Sequence, residues 1–142
     1  MQAASTQDRI LEVLEEDAQA SYAEIAERAG VSKPTVRKYI NKLEEEGVIV
    51  GYSADIDPKK LSGTSIALVG LEVASERYVE VTRALESLDS VESLYSCSGD
   101  HMLMAEVRAP DGGALGDVIS ESILSIEGVT AAHPSFLQER LK

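Results

Sequence analysis

The amino-acid sequence predicts an α+β fold in two parts: a small helical unit, then an antiparallel sheet with two helices on one face. Three observations predict it. Apolar residues recur at helical spacing in three capped segments before residue 47. Beyond residue 63, short apolar runs of strand type alternate with helical ones in the order βαββαβ. Within that second part, Leu85-Glu86-Ser87-Leu88-Asp89-Ser90-Val91 lies in register with Ile123-Leu124-Ser125-Ile126-Glu127-Gly128-Val129. Both stretches close a helix and enter a strand, so the second part reads as two split βαβ units.

The first helix runs from about Thr6 to Asp17, with Ile10, Leu11, Val13 and Leu14 as its apolar stripe and Thr6 or Ser5 as N-cap. The second opens on Ser21-Tyr22-Ala23-Glu24, a capping box in which hydroxyl and carboxylate each satisfy an orphan amide. It turns Ile25, Ala26 and Ala29 inward and stops at Gly30. Only Val31 separates Gly30 from Ser32, the next N-cap, and Pro34 follows in the first turn, where its missing N–H costs nothing. A short turn between helices two and three is the helix-turn-helix geometry. The third helix spans about Lys33–Glu46 and ends at Gly47, with Val36, Ile40 and Leu43 on its core face. Val48-Ile49-Val50-Gly51-Tyr52-Ser53-Ala54 reads as one or two short strands, a wing, and Asp57-Pro58-Lys59-Lys60 as a turn. The expected boundaries are 1–54 for a winged helix-turn-helix domain, 55–63 for a linker and 64–142 for the βαββαβ domain.

In the second domain, strand Thr64–Ala74 presents Ala67, Val69, Leu71 and Val73 on one face and Ile66 and Leu68 on the other. Ser75–Leu88 is a helix carrying Tyr78, Val81, Leu85 and Leu88. Strands Val91–Cys97 and Met102–Val107 are joined across Ser98-Gly99-Asp100-His101, a hairpin-type turn. Leu115–Ile126 is the second helix, with Val118, Ile119 and Ile123, and Val129–Leu137 is the last strand. This order is a ferredoxin-like sandwich. Ile66, Leu68, Leu94, Met102 and Met104 are assigned to its open sheet face, more apolar surface than a monomer leaves wet, which predicts a homodimer through that face.

The net charge of the 142 residues is -12. That balance excludes a protein that coats nucleic acid through its whole surface, but not one that binds through a local patch. Residues 32–43 hold Lys33, Arg37, Lys38 and Lys42 and no acid, and Glu44-Glu45-Glu46 follow at once. On a helical wheel Pro34, Lys38 and Asn41 lie opposite the core face, with Thr35, Arg37 and Lys42 on the flanks. Cations, a hydroxyl and an amide are the groups that contact phosphates and base edges. Ser32, Lys33, Pro34, Thr35, Arg37, Lys38, Asn41 and Lys42 are therefore the expected DNA-binding residues. A solvated basic face on a surface helix is the plainer alternative. The coincidence of the cluster with a capped three-helix unit, a short turn and a wing favours DNA.

Other function classes find less support. The longest apolar runs, such as Ile66–Leu71, are far shorter than the roughly 20 residues of a membrane span, and no secretory leader is visible, so no membrane partner and a cytoplasmic location are expected. Cys97 is the single cysteine, which excludes an intrachain disulfide and a cysteine-cluster zinc site; it reads as a buried small hydrophobe. His101 and His133 are isolated and have no motif partner, so neither metal nor cofactor is expected. There is no Ser/His/Asp set, no phosphate-cradling glycine loop and no metal-spaced His/Cys group, so no enzyme is expected. A small-molecule or protein-binding module without DNA binding is the remaining alternative. An acidic surface with only six lysines fits a salt-rich cytoplasm.

Asp8-Arg9-Ile10-Leu11-Glu12-Val13-Leu14, Ile25-Ala26-Glu27-Arg28-Ala29-Gly30-Val31-Ser32 and Leu43-Glu44-Glu45-Glu46-Gly47-Val48-Ile49-Val50-Gly51-Tyr52 follow one another in the first part. The second part adds Ser98-Gly99-Asp100 between two strands and Gly128-Val129 before the last. In this order and spacing, over about residues 6–140, the chain resembles the Lrp/AsnC (feast/famine) family of prokaryotic transcription regulators. The resemblance implies promoter DNA as partner and a ligand-sensing C-terminal domain of the RAM type that dimerises, with assembly to tetramers or octamers. It also implies an effector, an amino acid or related metabolite, at the turn between the second and third strands of that domain. Ser98, Gly99, Asp100, His101 and Met102 are the expected effector residues. The family pattern there is glycine, two variable residues, then aspartate, whereas this chain has Gly99-Asp100-His101-Met102. Met102 thus stands in the place of the usual aspartate, leaving Asp100 to pair with a ligand ammonium. Tyr39 stands where a basic residue is usual: Arg37 or Lys38 takes over that contact, or Tyr39 packs.

Overall fold

The computed structural model describes residues 3–142. They divide into two compact units, one up to Asp55 and one from Ile56 onward.

The first unit holds α1 (Thr6–Glu16), α2 (Tyr22–Ala29) and α3 (Lys33–Glu45). Ser5 is the N-cap of α1 and completes a capping box: its hydroxyl accepts from the Asp8 N–H at 3.1 Å, and Asp8 Oδ2 accepts from the Ser5 N–H at 3.0 Å. Hydrogen bonding from the Ser5 hydroxyl, first of all, and from the Ser5 N–H holds the Asp8 carboxyl below its ordinary range. At α2 the box is half made. Ser21 accepts from the Glu24 N–H at 3.1 Å, while the Glu24 side chain stays exposed. Gly30 ends α2 at φ +70°, the left-handed conformation that lets its N–H turn back to Ala26 and Glu27. Ile10, Val13, Ile25, Ala26, Ala29, Val36 and Ile40 form one buried cluster.

The expected wing strands over 48–54 do not form. The Val48 and Ile49 N–H groups both donate to the Leu43 carbonyl, at 2.9 and 3.0 Å, and Val50 is 94% exposed. The run is apolar enough for a strand, but among the described residues of the unit there is no second strand to pair with it.

The second unit contains β1 (Ser65–Val73), α4 (Tyr78–Glu86), β2 (Val91–Ser96), β3 (Leu103–Ala109), α5 (Gly112–Asp117) and β4 (Val129–Phe136). The strands form one antiparallel sheet in the order β2-β3-β1-β4. Both helices lie on one face, where Val81, Leu85, Leu115, Ile119 and Ile123 meet Ala67, Val69, Leu71, Leu103, Ala105 and Val107. The expected helix from Ser75 starts instead with a tight turn, Ser75–Arg77. The second helix starts three residues earlier than expected, because Asp111 caps it through the Ala114 N–H at 2.7 Å. Gly112, Gly113 and Gly116 are poor helix formers and obscure that start in the sequence. Past Asp117 the helix widens over Val118–Ile123, and the Leu124 N–H reaches back five residues to the Ile119 carbonyl.

The duplicated heptads occupy equivalent places. Leu85 and Ile123 are both fully buried. The Leu88 N–H donates to the Leu85 carbonyl at 3.2 Å, as Ile126 does to Ile123 at 3.1 Å. The Val91 N–H donates to Leu88 at 3.0 Å, as Val129 does to Ile126 at 3.1 Å.

Three residues lie elsewhere than expected: Leu94, Met102 and Cys97. The ladder between β2 and β3 shifts register between Val91 and Ser93, so Val91 faces Val107, Leu94 faces Ala105 and Tyr95 faces Met104. This bulge reverses the alternation expected from Val91 onward. Leu94 packs on the core instead of the open face, and so does Met102 just before β3. The open face keeps Ile66, Leu68 and Met104 and gains Tyr95, which is 63% exposed. Cys97 is exposed rather than buried: it lies beyond the end of β2, and its thiol donates to the His101 carbonyl at 3.1 Å.

Of the expected linker 55–63, the residues from Ile56 onward belong to the second unit. Asp57 accepts N–H bonds from Lys59 and Arg140, both at 3.1 Å, and Lys59 Nζ lies 2.9 Å from Glu139. The bond from Arg140, first of all, holds the Asp57 carboxyl below its ordinary range. Among the described residues, no helix is long and apolar enough to cross a membrane.

Candidate nucleic-acid interface and effector turn

The exposed face of α3 follows from its buried one. With Val36, Ile40 and Leu43 turned inward, Lys33, Pro34, Arg37, Lys38, Asn41 and Lys42 are exposed and Thr35 is half-buried. Ser32 caps the helix by accepting from the Thr35 N–H at 3.3 Å, and the two hydroxyls lie 2.8 Å apart. Both therefore have work within the turn. The Arg37 guanidinium lies 5.6 Å from the centre of the Tyr22 ring, a cation–π contact that steadies it on α2. Lys42 reaches Glu46 only at 3.9 Å. Lys33, Arg37 and Lys38 form no ion pair among the described residues. Tyr39 is half-buried and packs against the helical core, so it does not extend the cationic row.

The expected effector residues part company. Ser98, Gly99 and Asp100 form an exposed tip, with Gly99 at φ +120°. The Cys97 N–H bonds the Met102 carbonyl at 3.0 Å, and the Met102 N–H bonds the Leu71 carbonyl at 3.1 Å, which fixes the base of the turn. Met102 goes into the core, and His101 folds over β1.

His101 and His133, expected to stand alone, meet. Pairing of β1 with β4 sets His133 opposite Gly70, and the His101 ring lies over the same glycine. A Cβ at Gly70 would stand 2.2 Å from that ring. The rings stack at 5.0 Å with 26° between planes. His101 Nδ1 is 2.6 Å from Glu72 Oε1, and His133 Nε2 is 2.8 Å from Glu72 Oε2. A carboxylate only accepts, so His101 donates through Nδ1. That bond, with His133 alongside, outweighs desolvation and holds Glu72 below its ordinary value. The sequence carried one signal for the cluster. Once β1 and β4 are neighbours, Gly70 and Glu72 on one strand and His133 on the other share a face.

Residues 5–50 match a winged helix-turn-helix DNA-binding family, and residues 66–142 match the Lrp/AsnC ligand binding domain. The sequence is 77% identical over 142 residues, covering 100% of both chains, to the HTH-type transcriptional regulator LrpA1 of Halobacterium salinarum. The chain belongs to the Lrp/AsnC family. Among solved structures, this Lrp/AsnC chain is similar to E. coli AsnC, with a TM-score of 0.69 and 26% identity over 100% of this chain and 96% of that one. Its fold also matches a Neisseria meningitidis transcriptional regulator solved with L-Met, at TM-score 0.73 and 22% identity, over 99% and 93% of the two chains. As an Lrp/AsnC protein it is a DNA-binding regulator of transcription and not an enzyme.

Proposed function

We propose that this Lrp/AsnC regulator reads double-stranded promoter DNA with α3 in the major groove. The observation that carries this is the set of exposed side chains on α3, whose cations Lys33, Arg37 and Lys38 have no acidic partner among the described residues. Lys33, Arg37, Lys38 and Lys42 hold phosphates, Asn41 faces base edges, and Ser32, Pro34 and Thr35 set the entry of the helix. Titration of promoter DNA at two salt concentrations tests it. The affinity should fall steeply with salt, with a logarithmic slope of about -0.9 per phosphate neutralised. A flat salt dependence would leave an effector-binding module without DNA contact.

The exposed tip Ser98-Gly99-Asp100 is the proposed effector contact. A small molecule with an ammonium group, an amino acid or related metabolite, would pair with Asp100. The ligand-binding family match supports this, as does the L-Met carried by the Neisseria protein. Asp100→Ala should abolish the thermal shift given by whichever amino acid stabilises the parent; an undiminished shift would remove Asp100 from the site.

The open sheet face is the proposed dimer surface, with dimers assembling further to tetramers or octamers. Leu68 and Tyr95 are exposed there beside half-buried Met104. Sedimentation at micromolar concentration should give at least a dimer, and a monomer would refute the assignment. The net charge of -12, and a close relative in a Halobacterium, support a salt-rich cytoplasm as the working medium.

A further inference from the structure

We propose that Glu72, His101 and His133 form a binding site for one divalent transition ion of the zinc type. The site lies on the open face of the sheet, and its three ligands come from three separate segments: β1, the turn before β3, and β4.

The donor atoms lie within 4.8 Å of one another. Two imidazoles and one carboxylate are the set that holds zinc where one coordination position stays open. Imidazole nitrogen also suits nickel and copper, whereas magnesium and calcium prefer all-oxygen shells. Ligand atoms around tetrahedral zinc stand about 3.3 Å apart, given bonds of about 2.0–2.2 Å. The contacts of 2.6 and 2.8 Å between Glu72 and the two rings need only open by roughly half an ångström to admit an ion.

Hydrogen bonding alone leaves the cluster incomplete. Glu72 Oε1 has the His101 N–H, whereas Glu72 Oε2 is buried and, among the described residues, has only His133 Nε2 at 2.8 Å, outside good hydrogen-bond geometry. A buried carboxylate oxygen with a poorly aligned donor is costly. A cation between the oxygen and the two rings would satisfy it.

The surroundings hold the ligands in place. Gly70 supplies the space for the His101 ring, and the Met102 N–H bond to Leu71 fixes the chain beside it. The other charged side chains of this face, Glu106 and Arg108, pair with each other at 2.9 Å and do not compete. A second copy packed on this face would enclose the ion.

The test uses the full chain, stripped with a chelator and returned to buffered potassium chloride with excess magnesium, which masks weak binding by the acidic surface. Zinc is titrated against a chromophoric indicator, and cobalt is added in parallel to read its ligand-field absorption. One zinc per chain and a cobalt spectrum of low-coordinate type are expected. His133→Ala should weaken zinc binding by more than about 100-fold, since loss of a supporting outer-shell group alone costs about 10–100-fold. His133 is more than half exposed, so this variant keeps the fold; His101→Ala and Glu72→Gln serve as second variants, checked by circular dichroism. Binding displaced by magnesium, or equally tight in His133→Ala, would overturn the proposal.

Discussion

Arg37→Ala combined with Lys38→Ala should weaken binding to promoter DNA by more than about tenfold at moderate salt and leave the fold intact. Both side chains are exposed, and neither forms an ion pair among the described residues, so the folded protein loses little. Each lost phosphate contact should also make the logarithmic salt slope shallower by about one. Asn41→Ala should behave differently, costing about 1–3 kcal/mol on the preferred sequence and little elsewhere. Fluorescence anisotropy on one specific and one scrambled duplex, at three salt concentrations, separates these effects. If the double variant matches the parent in affinity and slope, α3 is not the reading helix.

Gly128→Ala should destabilise the second unit by about 2–6 kcal/mol. Gly128 sits at φ +106°, where a side chain is strained at a cost of about 1–3 kcal/mol. A Cβ there would also stand 2.6 Å from Arg77 Cβ and 2.9 Å from Val81 Cγ2. Both atoms are held on or close to their backbone, so relief needs movement of the chain, a further cost of about 1–3 kcal/mol. Gly99→Ala is the control. Its φ of +120° is equally restrictive, but nothing lies within 4 Å of the added carbon. Thermal melts should rank parent, Gly99→Ala and Gly128→Ala in descending order. A Gly128→Ala melt no lower than that of Gly99→Ala would show that the loop before β4 yields at little cost.

The element order was legible because it rests on local rules. Ser5, Ser21 and Ser32 do cap helices, Gly30 does end one, and each stretch read as a strand in the βαββαβ part lies in the sheet. Failures came where pairing decides. Val48–Ala54 has strand composition but no partner, and Leu94 changed faces because the bulge between Val91 and Ser93 adds a residue that no single-strand pattern reveals. The candidate sites divide the same way. The residues of α3 could be placed from one helical wheel. The histidines are 32 positions apart, and Glu72 lies 29 residues before His101, so only the cross-strand register brings them together. Met102 shows the limit of reading a motif by position: it occupies the place of a ligand aspartate and instead anchors the turn to the core.

The strand order has a consequence for how the second unit assembles. Its two βαβ halves are β1-α4-β2 and β3-α5-β4, yet β1 pairs only with β3 and β4, and β2 only with β3. Neither half contains a ladder of its own; every one joins the first half to the second. A half synthesised alone would have unpaired strands and one uncovered helix, so the duplicated sequence cannot fold as two independent modules. The sole ladder closed by a short connection is β2 with β3, through Cys97–Met102. The residues proposed to meet the effector therefore also form the hinge of the earliest pairing available to the chain, and substitutions there should be felt in refolding rate as well as in ligand response.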